Sequence, residues 1–106
     1  MKDIKREKLE NIIRELAAEF LSCESSGISL ITVTRCRMKE NMRSAVVLLS
    51  VLPEEMESDA LSFAKRKKKD FKEYIKSHSR LKYIPYIEFE LDLGEKNRQR
   101  IEELTH

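Results

Sequence analysis

Apolar residues at Ile4, Leu9, Ile12, Ile13, Leu16, Ala17, Phe20 and Leu21 recur in steps of three and four. That spacing predicts an amphipathic helix over residues 3–23, ended by CESSG with Gly27 as its stop signal. The next stretch, ISLITVTRCRM, is rich in β-branched residues and reads as a strand. Its alternation slips: Ile31 and Val33 share one phase, while Cys36 and Met38 take the other. One extra residue near Thr34-Arg35, a β-bulge, would reconcile the two halves. KENMR then reads as a turn and SAVVLLSVL as a second strand, apolar on both parities as befits a central strand.

Pro53 opens the following helix, with Glu54, Glu55, Glu57 and Asp59 in its first turns, where the helix dipole favours acidic groups. Leu61, Ala64, Phe71, Ile75 and His78 mark an inner stripe that is interrupted at Lys67 and Lys68. Tyr83-Ile84-Pro85 breaks this helix, because proline pushes the residue before it into extended geometry. YIEFELDL is a third strand with Ile87, Phe89 and Leu91 inward and Glu88 and Glu90 outward, and KNRQRIEEL predicts a short closing helix. The order α-β-β-α(α)-β predicts an α+β fold. The first two strands form a hairpin, and the third lies parallel to the second across a helical crossover. A three-stranded mixed sheet covered by helices on one face results.

Composition narrows the functional classes. A chain of 106 residues, 41% apolar in periodic runs, reads as a single domain with its own core. No apolar run approaches the roughly 20 residues of a membrane span. The start, MKDIKREKLENII, lacks the apolar region of a secretory signal. Cys23 and Cys36 have no CxxC spacing and read as reduced core thiols of a cytoplasmic protein. An enzyme is disfavoured: of two histidines one is terminal, and two glycines cannot build a phosphate-cradling loop. No metal-ligand pattern, cofactor motif or small-molecule site is legible.

The net charge of +2 conceals a segregation. Lys65, Arg66, Lys67, Lys68, Lys69, Lys72, Lys76, Arg80 and Lys82 face only Asp70 and Glu73, a local balance of +7 that leaves −5 for the remainder. Lysines late in a helix suit its dipole and keep a surface soluble, so a solvated face is the bland alternative. Against it, like charges at spacings of three and four repel one another, and a bound polyanion is the natural compensation. These nine residues are therefore the candidate RNA-binding residues. Tyr83 and Tyr86 are candidate stacking rings, although tyrosines beside a strand more often belong to the core or its rim.

Three stretches resemble the ribosome-binding factor A family, which has a type II KH-like fold. ITVTRCRMKENMRSAVVLLSVL is similar to its first two strands, with Asn41, Met42 and Ala45 on an Asp-Leu-x-x-Ala turn. RLKYIPYIEFELD is similar to its Leu-Arg-x-x-Pro-x-Leu-x-Phe-x-x-Asp signature through Leu81, Lys82, Pro85, Ile87, Phe89 and Asp92. RIEEL falls where the family's closing helix does. The resemblance implies a small-subunit assembly factor that is a monomer when free. It would bind the 30S ribosomal subunit precursor, at immature 16S rRNA near its 5′ end, and assist late rRNA processing. The alternative is a KH-like protein-interaction module, or a binder of other structured RNA. Asn41 departs from the family's Asp, and the family's Ala-x-Gly helix break falls on Lys67-Lys68-Lys69. Without Ala and Gly, the expectation is a straighter helix, unbroken from about Glu54 to Ser79, with Lys67 or Lys68 laying its stem over the core edge.

Overall fold

The computed structural model describes residues 2–24, 29–39 and 42–94. A long helix, α1 (Lys2–Glu24), leads into a hairpin of β1 (Leu30–Met38) and β2 (Ser44–Leu52). A 3-10 turn over Glu54–Met56 follows, then α2 (Glu57–Arg66), α3 (Lys68–His78) and β3 (Tyr86–Leu91). The sheet order is β1-β2-β3, with β1 antiparallel and β3 parallel to the central β2. That is the predicted α+β arrangement. The predicted closing helix KNRQRIEEL and the Asn41 position lie outside the described residues, as does the Cys23 side chain.

The bulge falls where the phase slip placed it. Val33 pairs with Leu49 and Arg35 with Leu48, so Thr34 is the residue without an opposite number. It lets Val33 and Ile31 pack against the same core that buries Cys36 and Met38. The Thr34 hydroxyl donates to the Asp92 carboxylate at 2.6 Å and lies 3.2 Å from the Leu48 carbonyl, which ties β1 to the end of β3. In the intervening turn Met42 takes φ 56° and packs its half-buried side chain on the core.

On the helix-facing side of β2, Ala45, Val47 and Leu49 are fully buried, beneath Ile13, Ala17, Phe20 and Leu21 of α1. Phe71 links three elements, with ring centroids 5.3 Å from Phe20 of α1 and 5.8 Å from Phe89 of β3. On the other side Val46 and Leu48 are also buried, which explains why β2 is apolar on both parities. In register, Val46 lies between Arg37 and Glu88, and Leu48 between Arg35 and Glu90. The open sheet face is therefore apolar along its middle and charge-balanced across it.

Two expectations need correction. The crossover helix is not continuous from Glu54 to Ser79: it starts as a 3-10 turn after Pro53 and is interrupted at Lys67. His78 does not join the inner stripe. It is the last residue of α3 and exposed, with its ring stacked 3.9 Å from that of Tyr74 and Nδ1 3.0 Å from the Tyr74 carbonyl, where the chain leaves the helix at extended Ser79. The buried residues of the two segments are Ala60 and Ala64, then Phe71 and Ile75.

Candidate nucleic-acid interface

Glycine turns out not to be required at the break. Lys67 has φ −95° and ψ 6°, a region open to any L-residue. Its N–H is shared between the carbonyls of Phe63 (3.2 Å) and Ala64 (3.1 Å), while its own carbonyl accepts from Phe71 N–H at 2.8 Å. The hydrogen-bond ladder thus tightens by a fraction of a turn and resumes, which re-aims α3 so that Phe71 meets Phe20 and Phe89. The lost permission of an Ala-x-Gly sequence is offset by packing on both sides of the break.

Lys67 and Lys68 fill the gap in the inner stripe and are half-buried. Lys67 lays its stem along the core edge, with Nζ 5.8 Å from the Phe63 ring centroid and 3.7 Å from the Asp70 carboxylate. Aliphatic stems are well suited to such positions, since the ammonium stays wet while the methylenes cover apolar surface. Lys68 turns toward the edge strand, where Nζ donates to the Tyr86 hydroxyl at 2.9 Å and sits 4.7 Å from that ring's centroid. The break therefore docks onto the start of β3.

The remaining sequence-predicted residues are brought to the surface. Lys65, Arg66, Lys69, Lys72, Lys76, Arg80 and Lys82 are all exposed. Lys69, Lys72 and Lys76 follow one another at steps of three and four, one line along α3, while Lys65 and Arg66 stand in the last turn of α2. Lys76 pairs with Glu73 at 3.4 Å between exposed side chains, an interaction worth about 0–1 kcal/mol. Among the described residues no ion pair engages Lys65, Arg66, Lys69, Lys72, Arg80 or Lys82. Six cations without ion-pair partners among the described residues thus stand on the last turn of α2, on α3 and on the connector that follows it, in contrast to the balanced rows on the open sheet face.

Arg80 and Lys82 belong to the same surface for a geometric reason. Tyr86, where β3 begins, touches Lys68, the first residue of α3. The connector from 79 to 85 must therefore run back along α3, a helix of 11 residues and about 16 Å in length. Pro85 is buried, and Leu81 and Ile84 pack against the core, while Arg80, Lys82 and Tyr83 face outward.

Elsewhere, an open groove of about 510 Å³ lies between α1 and the free edge of β1, lined by Glu7, Glu10, Arg14 and Arg35 among others. Glu10 accepts the Met38 N–H at 2.7 Å, closing part of that edge. Burial, with the Glu10 carboxylate nearby, pushes the Cys36 thiol up to about 12, which makes it an inert core group. Among the described residues no group of three or more His, Cys, Asp or Glu side chains is placed to hold a metal, and no helix is long and apolar enough to cross a membrane. What sequence reasoning underrated is the role of Lys68, whose contact with Tyr86 depends on the break. The outward phase of Tyr86 beside inward Ile87 was the available signal.

Comparison with known proteins agrees with this architecture. The family model described as ribosome-binding factor A matches residues 5–105. A ribosome-binding factor A from Bdellovibrio bacteriovorus is 26% identical over 102 residues, covering 93% of this chain and 76% of that protein. The crystal structure of ribosome-binding factor A from Thermus thermophilus superposes with a TM-score of 0.72 at 21% identity, over 81% of this chain and 93% of that one. A homology model of the Thermus protein, fitted into a cryo-EM map of its complex with the 30S subunit, gives 0.69 at 21% identity over 78% and 90%. The solution structure of a putative ribosome binding factor A from Thermotoga maritima gives 0.60 at 20% identity over 83% of each chain.

Proposed function

The chain belongs to the ribosome-binding factor A family, and from that premise we propose that it binds the precursor of the small (30S) ribosomal subunit. Its contact is immature 16S rRNA near the 5′ end, its role is to assist late maturation of that RNA, and its place is the cytoplasm. It acts as one KH-like RNA-binding unit over residues 1–106, monomeric when free, and by binding alone. The single observation that carries the site is the stripe of six exposed cations lacking ion-pair partners among the described residues, Lys65, Arg66, Lys69, Lys72, Arg80 and Lys82. Ribosomal RNA is a polyanion, and releasing its counterions is what such a stripe does. The Thermus relative's placement in a 30S complex supports the choice of partner.

If all six engage phosphates, log affinity for a 16S rRNA fragment falls with log salt at a slope of roughly −4 to −5. Replacing Lys69 and Lys72 together by glutamine makes that slope shallower by about 1.5. A response flat in salt overturns the electrostatic mechanism.

A further inference from the structure

The edge of β1 turned away from β2 carries a set of groups that the RNA-binding reading leaves unused. Pairing from Arg35 with Leu48 to Met38 with Ala45 is regular, and Lys39 N–H reaches across to the Ser44 carbonyl at 2.9 Å. Backbone groups of an antiparallel strand point to alternate sides, so those of Cys36 and Met38 face the free edge. Met38 N–H shows this phase directly, because it donates to the Glu10 carboxylate at 2.7 Å and not to β2. Glu10 thus fills one place in a hydrogen-bonding row that a further strand would occupy. The bulge at Thr34 ends the straight part of the row, leaving Arg35–Met38, about 13 Å of edge.

The groove beside that edge is lined by Arg14, Arg35 and Arg37 together with Glu7 and Glu10. Among the described residues none of these three arginines makes an ion pair. Arg35 and Arg37 are exposed, two residues apart on the open sheet face, and their β2 neighbours are the apolar Leu48 and Val46. A strand laid against β1 would set its own alternate side chains directly beside these two guanidinium groups. Opposite charges at such cross-strand positions stabilise a sheet and like charges destabilise it. Charges and a bulge also blunt an edge against indiscriminate pairing, so the segment admitted is one with acidic residues at every second position. A phosphate chain fits less well. Phosphates only accept hydrogen bonds, which leaves the Cys36 and Met38 carbonyls unmet, and Glu7 and Glu10 repel them.

We propose that the free edge of β1 docks an extended acidic segment of a partner protein by strand addition. The segment displaces the Glu10 carboxylate from Met38 N–H, bonds to the Cys36 and Met38 backbone, and sets alternate carboxylates against Arg35 and Arg37. This surface uses none of the residues of the cationic stripe on α2, α3 and the connector.

The test titrates the full chain, labelled with nitrogen-15, with a synthetic peptide that alternates glutamate and threonine, and follows backbone amides by NMR. The comparison ligands are a lysine–threonine peptide, a fully N-methylated form of the glutamate peptide that keeps its charges but cannot donate, and an unstructured RNA oligonucleotide. The glutamate peptide is expected to shift the amides of Arg35, Cys36, Arg37 and Met38 and to protect Cys36 N–H from hydrogen exchange. N-methylation abolishes both effects. Arg35→Gln combined with Arg37→Gln lowers affinity for the glutamate peptide by about 2- to 30-fold, the loss of two cross-strand charge pairs. Arg35→Glu combined with Arg37→Glu turns the preference to the lysine peptide. Lys69→Gln combined with Lys72→Gln leaves peptide binding unchanged, and circular dichroism confirms that each variant is folded. A glutamate peptide that leaves these four amides unmoved, or an N-methylated form that binds equally well, overturns the proposal. RNA that shifts these amides where the peptide does not also overturns it and makes the edge a phosphate contact. None of these outcomes bears on the cationic stripe, whose own test is the salt dependence of RNA binding.

Discussion

Phe71 is the first core residue beyond the break, and replacing it tests whether the interruption at Lys67 is set by packing. The side chain is fully buried, and its ring lies 5.3 Å from Phe20 and 5.8 Å from Phe89. Phe71→Ala removes a ring that ties α1, α3 and β3 together. Truncation of a buried phenylalanine costs about 3–5 kcal/mol, from lost transfer free energy and the cavity left behind. A domain of this size has a total stability of about 5–15 kcal/mol, so the loss is a large fraction of the whole. With a urea m-value of about 1.5 kcal/mol/M, the unfolding midpoint should fall by roughly 2–3 M. The assay is urea unfolding followed by far-UV circular dichroism, with Lys72→Gln on the next exposed face as control. That surface change should move stability by no more than about 0.5 kcal/mol. A Phe71→Ala loss below about 1 kcal/mol would refute the packing argument for the re-aimed α3.

The bulge makes a second prediction. Thr34→Val keeps the shape but removes the hydroxyl bonded to Asp92 and near the Leu48 carbonyl, so urea unfolding should show a loss of about 1–3 kcal/mol; an unchanged midpoint would show the bridge to be idle. Cys36 makes a third, about alkaline pH. Its folded pKa lies near 12 against an ordinary 9.0, so the thiol is protonated in both states below pH 9 and its contribution is fully present there. Above pH 9 the unfolded chain ionises first and binds fewer protons, so stability falls by up to about 1.4 kcal/mol per pH unit until the folded pKa is reached. Cys36→Ala should lack this component between pH 9 and 10.5, and parallel pH profiles for the two proteins would contradict it.

Much of the fold was legible because it rests on periodicity. The α1 stripe, the two-sided apolar run of β2 and the Ile87/Phe89 alternation each fix an element and its buried face. The bulge was legible for the same reason, since a change of phase between Val33 and Cys36 admits one economical explanation. The break at Lys67 was not. The residue types argued for a straight rod, but φ −95° and ψ 6° are open to lysine, and the deciding contacts join Phe71 to residues about 51 positions before and 18 after it. His78 was misplaced for a different reason: it continues the Phe71 and Ile75 spacing but is the last residue of α3, where its ring stacks on Tyr74 at the surface. The cationic run was visible in the sequence. That six of its members lack ion-pair partners among the described residues, and that Arg80 and Lys82 return alongside α3, required the three-dimensional arrangement.

The most direct test replaces Lys65, Arg66, Lys69, Lys72, Arg80 and Lys82 with glutamine in the full chain and follows the protein on sucrose gradients of cell extract. The parent should run with free small subunits and their precursors. The variant, with an unchanged circular dichroism spectrum and urea midpoint, should remain at the top of the gradient. A folded variant that still travels with small subunits would contradict the claim that this stripe holds the RNA.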